Sequence, residues 1–311
     1  MSKTAFVFPG QGSQSLAMLA DFADRTPVRQ AFQEASGALE LDLWELAQNG
    51  PEEALNRTEN TQPLLLTAGV ALWKLWEQEG GPRPALLAGH SLGEYTALTC
   101  AGVLSLGDAV RLVRTRGQLM QQAVPDGTGS MAAILGLDDD QVRQACADAA
   151  DDEVVEAVNF NAPGQVVIAG QASAVERAVA ACKDAGAKRA LPLPVSVPSH
   201  CALMKPAAEQ LADYLANTNF HAPELPVINN VDVARETDPA RIRDALIRQL
   251  YSPVRWVETV QALAADGVTT LYECGPGKVL SGLAKRIDRS LTAKPLETDA
   301  AFQAALGGDQ V

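Results

Sequence analysis

At 311 residues, 47% of them hydrophobic, the chain can bury a large core, and two unequal lobes are expected in preference to one compact unit. A formal net charge of −13 argues against nucleic acid or an anionic membrane as the main partner, so an acidic partner would need a local basic patch. No segment approaches a membrane span, the apolar run near Met1 is too short for a signal peptide, and the five cysteines are dispersed without a C-x-x-C pair; neither a disulfide framework nor a metal site is indicated, and a cytoplasmic protein is expected.

Apolar strand-like runs alternate with longer amphipathic segments, the pattern of an α/β protein with a largely parallel sheet. A strand over 5–8 leads into the glycine loop Gly10-Gln11-Gly12-Ser13-Gln14 and a helix around 15–22. Ser15 stands where a dinucleotide fingerprint needs its third glycine, and no acidic strand end follows, so nucleotide binding is not expected. A helix over 63–78 precedes a buried strand that ends in Gly89-His90-Ser91-Leu92-Gly93, and helices follow over 93–101 and 106–123. Between the breakers Pro125-Asp126-Gly127-Thr128-Gly129 and Pro192-Leu193-Pro194 the order is strand 130–135, helix 138–149, strands 154–160 and 165–169, helix 172–185 and strand 188–191. That β-α-β-β-α-β succession is ferredoxin-like and is expected as a small lobe, 125–196, inserted into a large lobe formed by 1–124 and 197–311, with a substrate cleft between them. Further on come a strand over 269–274, the turn Gly275-Pro276-Gly277 and a helix over 278–287.

A serine flanked by glycines at this spacing, after a strand and before a helix, holds its hydroxyl out on a strained turn, a nucleophile elbow. The helix start points free N–H groups and a positive dipole end at the reacting oxygen. Ser91 is therefore the candidate nucleophile, and it needs an adjacent base. Three histidines compete for that role. The side chain of His90 should diverge from that of its neighbour and suits a support of the turn, and His221 falls in the polar connection Asn217-Thr218-Asn219-Phe220-His221-Ala222-Pro223. His200 lies where the chain re-enters the large lobe and is the best base. The usual hydrolase on such a turn runs Ser, then Asp or Glu, then a late His, yet no histidine follows His221. Either Ser91 is not catalytic, or it works in a serine–histidine pair whose imidazole is oriented by something other than the expected acid. On these residues an esterase or thioesterase and a transferase both stay open.

Several stretches, in order along the chain, resemble the bacterial malonyl-CoA:acyl carrier protein transacylases of type II fatty acid synthesis: Phe6-Val7-Phe8-Pro9-Gly10-Gln11-Gly12-Ser13-Gln14, Thr61-Gln62-Pro63, Gly89 to Tyr95, Arg116 with Met120, Asn159-Phe160-Asn161-Ala162-Pro163-Gly164-Gln165, Val197-Pro198-Ser199-His200, and Gln249 with Ser252-Pro253-Val254-Arg255-Trp256. The resemblance implies a hydrolase-like core with a ferredoxin-like insertion. It implies a ping-pong acyltransferase that needs no cofactor and carries malonyl from malonyl-CoA to the phosphopantetheine thiol of a small acidic acyl carrier protein. Ser91 is then the nucleophile and His200 the base, with the imidazole held by a main-chain carbonyl at Gln249. Backbone N–H groups of Gln11 and Leu92 are implied for the oxyanion and Arg116 for the substrate carboxylate, with Gln11 also among the substrate-binding residues. Arg111, Arg114 and Arg116 share one helix, and two of them can be ordinary surface charges. Lys188-Arg189 and Lys285-Arg286, the densest basic pairs near the expected cleft, are expected to dock the carrier. A monomer is expected, and the small Ser199 leaves α-methylated malonyl groups open.

Overall fold

The structure is a computed structural model and describes residues 3–125, 127–195 and 197–307. Asp126 and Ser196, at the two expected junctions of the small lobe, lie outside the described residues. The first apolar run forms β1 (Lys3–Phe8), the middle strand of a five-stranded sheet. Its side chains alternate between two cores, Phe6 and Phe8 on one face, Ala5 and Val7 on the other, which is why a strand covered on both sides reads as an unbroken apolar run.

The expected helix around 15–22 does not form. Only a short 3-10 turn is present, at Ala20–Phe22, because Ala17 and Leu19 hold φ of 61° and 60°, a left-handed conformation that residues with a side chain enter singly and that stops helical growth. The chain continues through α1 (Thr26–Leu39), α2 (Leu43–Asn49), α3 (Glu52–Leu55) and α4 (Thr58–Gln78). Pro63, expected at the helix start, lies inside α4, which begins at Thr58 and so turns Gln62 inward. Trp73 and Trp76 of α4 meet Phe6 with ring centroids 5.3 and 5.1 Å away. β2 (Leu86–Gly89) pairs parallel to β1, and after the turn at His90 and Ser91 the chain enters α5 (Leu92–Cys100), then α6 (Leu106–Gln122).

The middle of the chain builds a second sheet from β3 (Gly129–Leu135), α7 (Asp139–Ala150), β4 (Val155–Ala162), β5 (Gln165–Gln171), α8 (Ala172–Asp184) and β6 (Arg189–Pro192). Its strand order is β4-β5-β3-β6, with every neighbouring pair antiparallel. One face, with Ile134, Val166 and Ile168, is covered by the two helices; the other, with Met131, Val158, Val167 and Ala169, packs around Cys201.

The remaining elements are α9 (Lys205–Ala216), β7 (Val227–Ile228), α10 (Pro239–Gln249), α11 (Trp256–Ala265), β8 (Val268–Glu273), α12 (Val279–Ile287), β9 (Thr292–Pro295) and α13 (Asp299–Leu306). They complete a fully parallel large sheet of order β7-β2-β1-β8-β9. Val254, between α10 and α11, pairs with β4 of the second sheet, its N–H donating to Val158 O at 2.8 Å and its carbonyl accepting from Phe160 N at 3.1 Å. The five cysteines are free, and among the described residues no helix is long and apolar enough to cross a membrane.

Candidate active site

Ser91 sits between the end of β2 and the start of α5 at φ 52°, ψ −107°, a strained conformation for a residue with a side chain. The glycines around it are a matter of space. A methyl group on Gly89 would lie 1.8 Å from the Gly93 carbonyl carbon, and one on Gly93 would lie 2.0 Å from the Phe8 carbonyl oxygen. Strand, turn and helix therefore touch backbone to backbone. Asn230 clamps the turn from outside: its Oδ1 accepts from Ser91 N at 2.7 Å and its Nδ2 donates to Gly89 O at 2.7 Å.

His200 follows the second sheet and also holds a positive φ, 68°. Its Nε2 is 2.8 Å from Ser91 Oγ and its Nδ1 is 2.7 Å from the Gln249 main-chain oxygen. A carbonyl can only accept, so Nδ1 carries the proton and Nε2 turns a lone pair to the serine. Burial, aided by the nearby Arg116 charge, pushes the imidazole down to about 3, so it stands neutral as a base. His90 points elsewhere, to Asn161 Oδ1 at 2.8 Å, with its ring against Trp256, and His221 is exposed in a connecting segment.

The three arginines of α6 separate as their surroundings dictate. Arg111 pairs with Asp108, and Arg114 donates to Leu39 O. Arg116 is 1% exposed, and its guanidinium donates to Gln62 Oε1 at 2.9 Å, Gln249 Oε1 at 3.1 Å and Ser91 Oγ at 3.3 Å, all neutral acceptors. Gln62 in turn donates to Met120 Sδ at 3.7 Å. Ser91, His200, Arg116, Gln11 and Leu92 line one cleft of about 620 Å³, whose far wall includes Met131 and Asn159 of the second sheet. Gln11 rests its side-chain amide on Thr58 Oγ1 at 3.3 Å.

The four basic residues expected to dock a partner are exposed and none lines that cleft. Lys188 and Arg286 come together instead in a separate surface groove with Pro163 and Gly164, where Arg286 is held by Gln165 and the Pro163 carbonyl. Among the described residues no group of three or more His, Cys, Asp or Glu is arranged to hold a metal.

Sequence reasoning assigned no part to Glu94 or Asn230. Glu94, 2% exposed, accepts from Asn230 N at 2.9 Å and Gln249 Nε2 at 2.8 Å, and burial pushes its carboxyl up to about 7 against those two donors. One signal was available: a carboxyl inside the otherwise apolar opening of α5 has to be matched by something. For Asn230 there was none.

Residues 5–298 match the family model described as acyl transferase domain. A malonyl CoA-acyl carrier protein transacylase of Salmonella typhimurium is 64% identical over 307 residues, covering 98% of this chain and 99% of that protein. One of Bacillus subtilis is 48% identical over 293 residues, covering 94% and 92%. Among solved structures, an acyl carrier protein S-malonyltransferase from Vibrio cholerae is similar with a TM-score of 0.96 at 63% identity, covering 97% of this chain and 99% of that one. A malonyl-transacylase solved in complex with its type II PKS acyl-carrier protein reaches a TM-score of 0.98 at 58% identity, covering 99% and 100%.

Proposed function

We propose, from the premise that this chain belongs to the malonyl CoA-acyl carrier protein transacylase family of acyltransferases, that it moves malonyl from malonyl-CoA to an acyl carrier protein through an ester on Ser91, supplying the extender unit of fatty acid synthesis. The observation that carries this is the meeting of two groups at one oxygen: His200 Nε2 at 2.8 Å and Arg116 Nη2 at 3.3 Å from Ser91 Oγ.

In the first half-reaction Ser91 Oγ attacks the thioester carbonyl while His200 Nε2 takes its proton; the proton then goes to the departing coenzyme A thiolate. In the second, the carrier's phosphopantetheine thiol gives its proton to His200 and attacks the ester, and Ser91 regains its hydrogen as it leaves. The Gln249 carbonyl replaces a triad acid by holding Nδ1–H. The oxyanion is assigned to the N–H groups of Gln11 and Leu92, the latter in the first turn of α5 where amides lack intrahelical acceptors; losing one such donor costs about 3 kcal/mol. Arg116, surrounded by neutral acceptors, is assigned to the malonyl carboxylate, which offers two parallel acceptors where an acetyl group offers none.

The Ser91 turn is read as a nucleophile elbow in a hydrolase-like core, 1–124 and 197–311, and the lobe 125–196 as ferredoxin-like; the connectivity and strand order β4-β5-β3-β6 support the latter. Lys188, Arg189, Lys285 and Arg286 are assigned to carrier docking. A cytoplasmic location accords with five unpaired thiols.

Intact-protein mass spectrometry after brief mixing with malonyl-CoA, for the native chain and Ser91→Ala, followed by pantetheinylated carrier, tests the proposal. A Ser91-dependent malonyl adduct that moves to the carrier is expected. An adduct that decays to free malonate regardless of carrier would make the protein a thioesterase.

A further inference from the structure

The chemistry above gives Glu94 nothing to do, yet it is buried in the first turn of α5 within the apolar run from Leu92 to Leu98. A carboxyl is removed from water at a cost of several kcal/mol unless matched, so its partners are informative. Both of its donors, Asn230 N and Gln249 Nε2, converge on the same oxygen, Oε2. Gln249 Nε2 also reaches Ser91 O at 3.1 Å, while its Oε1 accepts from Arg116 Nη2 at 3.1 Å. The amide is thereby oriented at both ends. Turned over, it would face its NH2 to a guanidinium donor and its oxygen to Glu94 Oε2. The main chain of the same residue presents the carbonyl that meets His200 Nδ1, and Asn230, held by Glu94 at its N–H, grips Ser91 N and Gly89 O.

We infer that Glu94 is a positioning residue: by fixing the Gln249 amide and the Asn230 main chain, it aligns Ser91, His200 and Arg116 with one another. This rests on the roles proposed above for those three residues. Glu94 itself touches no substrate, and Oε2 can accept both bonds whether or not the carboxyl is protonated, since Oε1 is free to carry the proton. A glutamine with its oxygen at that position accepts both bonds as well. An aspartate, one methylene shorter, cannot reach.

The test compares native chain with Glu94→Met, Glu94→Asp and Glu94→Gln, measuring kcat and KM with malonyl-CoA, the titre of Ser91 that forms adduct, and the ratio of malonyl to acetyl adduct rates. Met and Asp are expected to lower kcat per titrated serine about tenfold or more with KM within about threefold, and to reduce the malonyl-over-acetyl ratio at least about threefold. Gln is expected to stay within about threefold of native on both. Native values in Met and Asp, or a Gln variant as poor as Met, would overturn the inference. So would a loss confined to the Ser91 titre with the ratio unmoved, which is what a merely structural role produces. Should Glu94→Met fail to fold, Glu94→Asp decides. Absence of any adduct in the native chain would overturn the underlying roles instead.

Discussion

A buried guanidinium whose acceptors are all uncharged is an incomplete ion pair, and Arg116 is such a group. Arg116→Ala should therefore slow malonyl transfer by at least about thirtyfold, the low end for a desolvated charge pair, and acetyl transfer far less. Steady-state rates with both coenzyme A esters check this, and equal losses would sink the role. Two buried titrating groups shape the acid side of the stability curve in opposite senses. Glu94 rises from 4.5 to about 7, so over that interval the folded chain keeps a proton the unfolded chain has released, and this contribution falls as pH rises. His200 falls from 6.5 to about 3, so the unfolded chain takes up a proton the folded one refuses, and this contribution falls as pH drops. Besides Gln249 and Asn230, Arg116 and Asp232 act on Glu94, the first lowering and the second raising it. Glu94→Gln removes only the first slope. Its stability relative to native should climb between pH 4.5 and 7 in denaturant titrations, and a constant difference would show that Glu94 does not titrate there.

At the scale of elements, the contact of β2, α5 and β1 depends on missing side chains. Gly93→Ala would set a methyl group 2.0 Å from the Phe8 carbonyl oxygen and should destabilise the fold by about 4 kcal/mol or more in chemical denaturation. A loss below about 1 kcal/mol would mean that strand and helix can separate. This contact was legible because strand, turn and helix are contiguous in the chain, and so are the elements of the second sheet, whose bounds the hydrophobic periods locate closely. Ser91 was legible by residue type and spacing and His200 by its place in the chain, while Arg116 was singled out from the other arginines of its helix by the family resemblance. The network behind them was not, because its bonds span 136 and 155 residues, from Glu94 to Asn230 and Gln249, and Asn230 follows a strand of only two residues, Val227–Ile228, too short to show a period. The segment around 15–22 misled for a different reason. Its apolar residues suit a helix, while the positive φ of Ala17 and Leu19 is set by packing against the rest of the lobe, with Ala17 N bonded to Ala47 O at 2.9 Å. The stripe Val28, Ala31, Phe32 and Ala35 of α1 is a readable helical signal that points to no chemistry.

At the scale of the whole molecule, a chain of net charge −13 can receive an acidic carrier only where positive charge is concentrated. Reversing Lys188, Arg189 and Lys285 to Glu should raise KM for carrier at least about fivefold at low salt, less at high salt, and leave acylation by malonyl-CoA unchanged. Rates measured against carrier concentration at two ionic strengths check this, and an unchanged KM would place the docking surface elsewhere. The segment from Gln249 to Arg255 connects the scales. Its first carbonyl meets His200 Nδ1, its second accepts from His200 N at 2.9 Å, Val254 exchanges two bonds with β4, and Arg255 N donates to Asn230 O at 3.2 Å. One short strap thus carries the reference marks for the imidazole, the serine turn and the second sheet. Sliding one sheet past the other would shear the Val254 pairing and pull on the carbonyls that hold the imidazole, so the register between the sheets and the alignment of the site are set together.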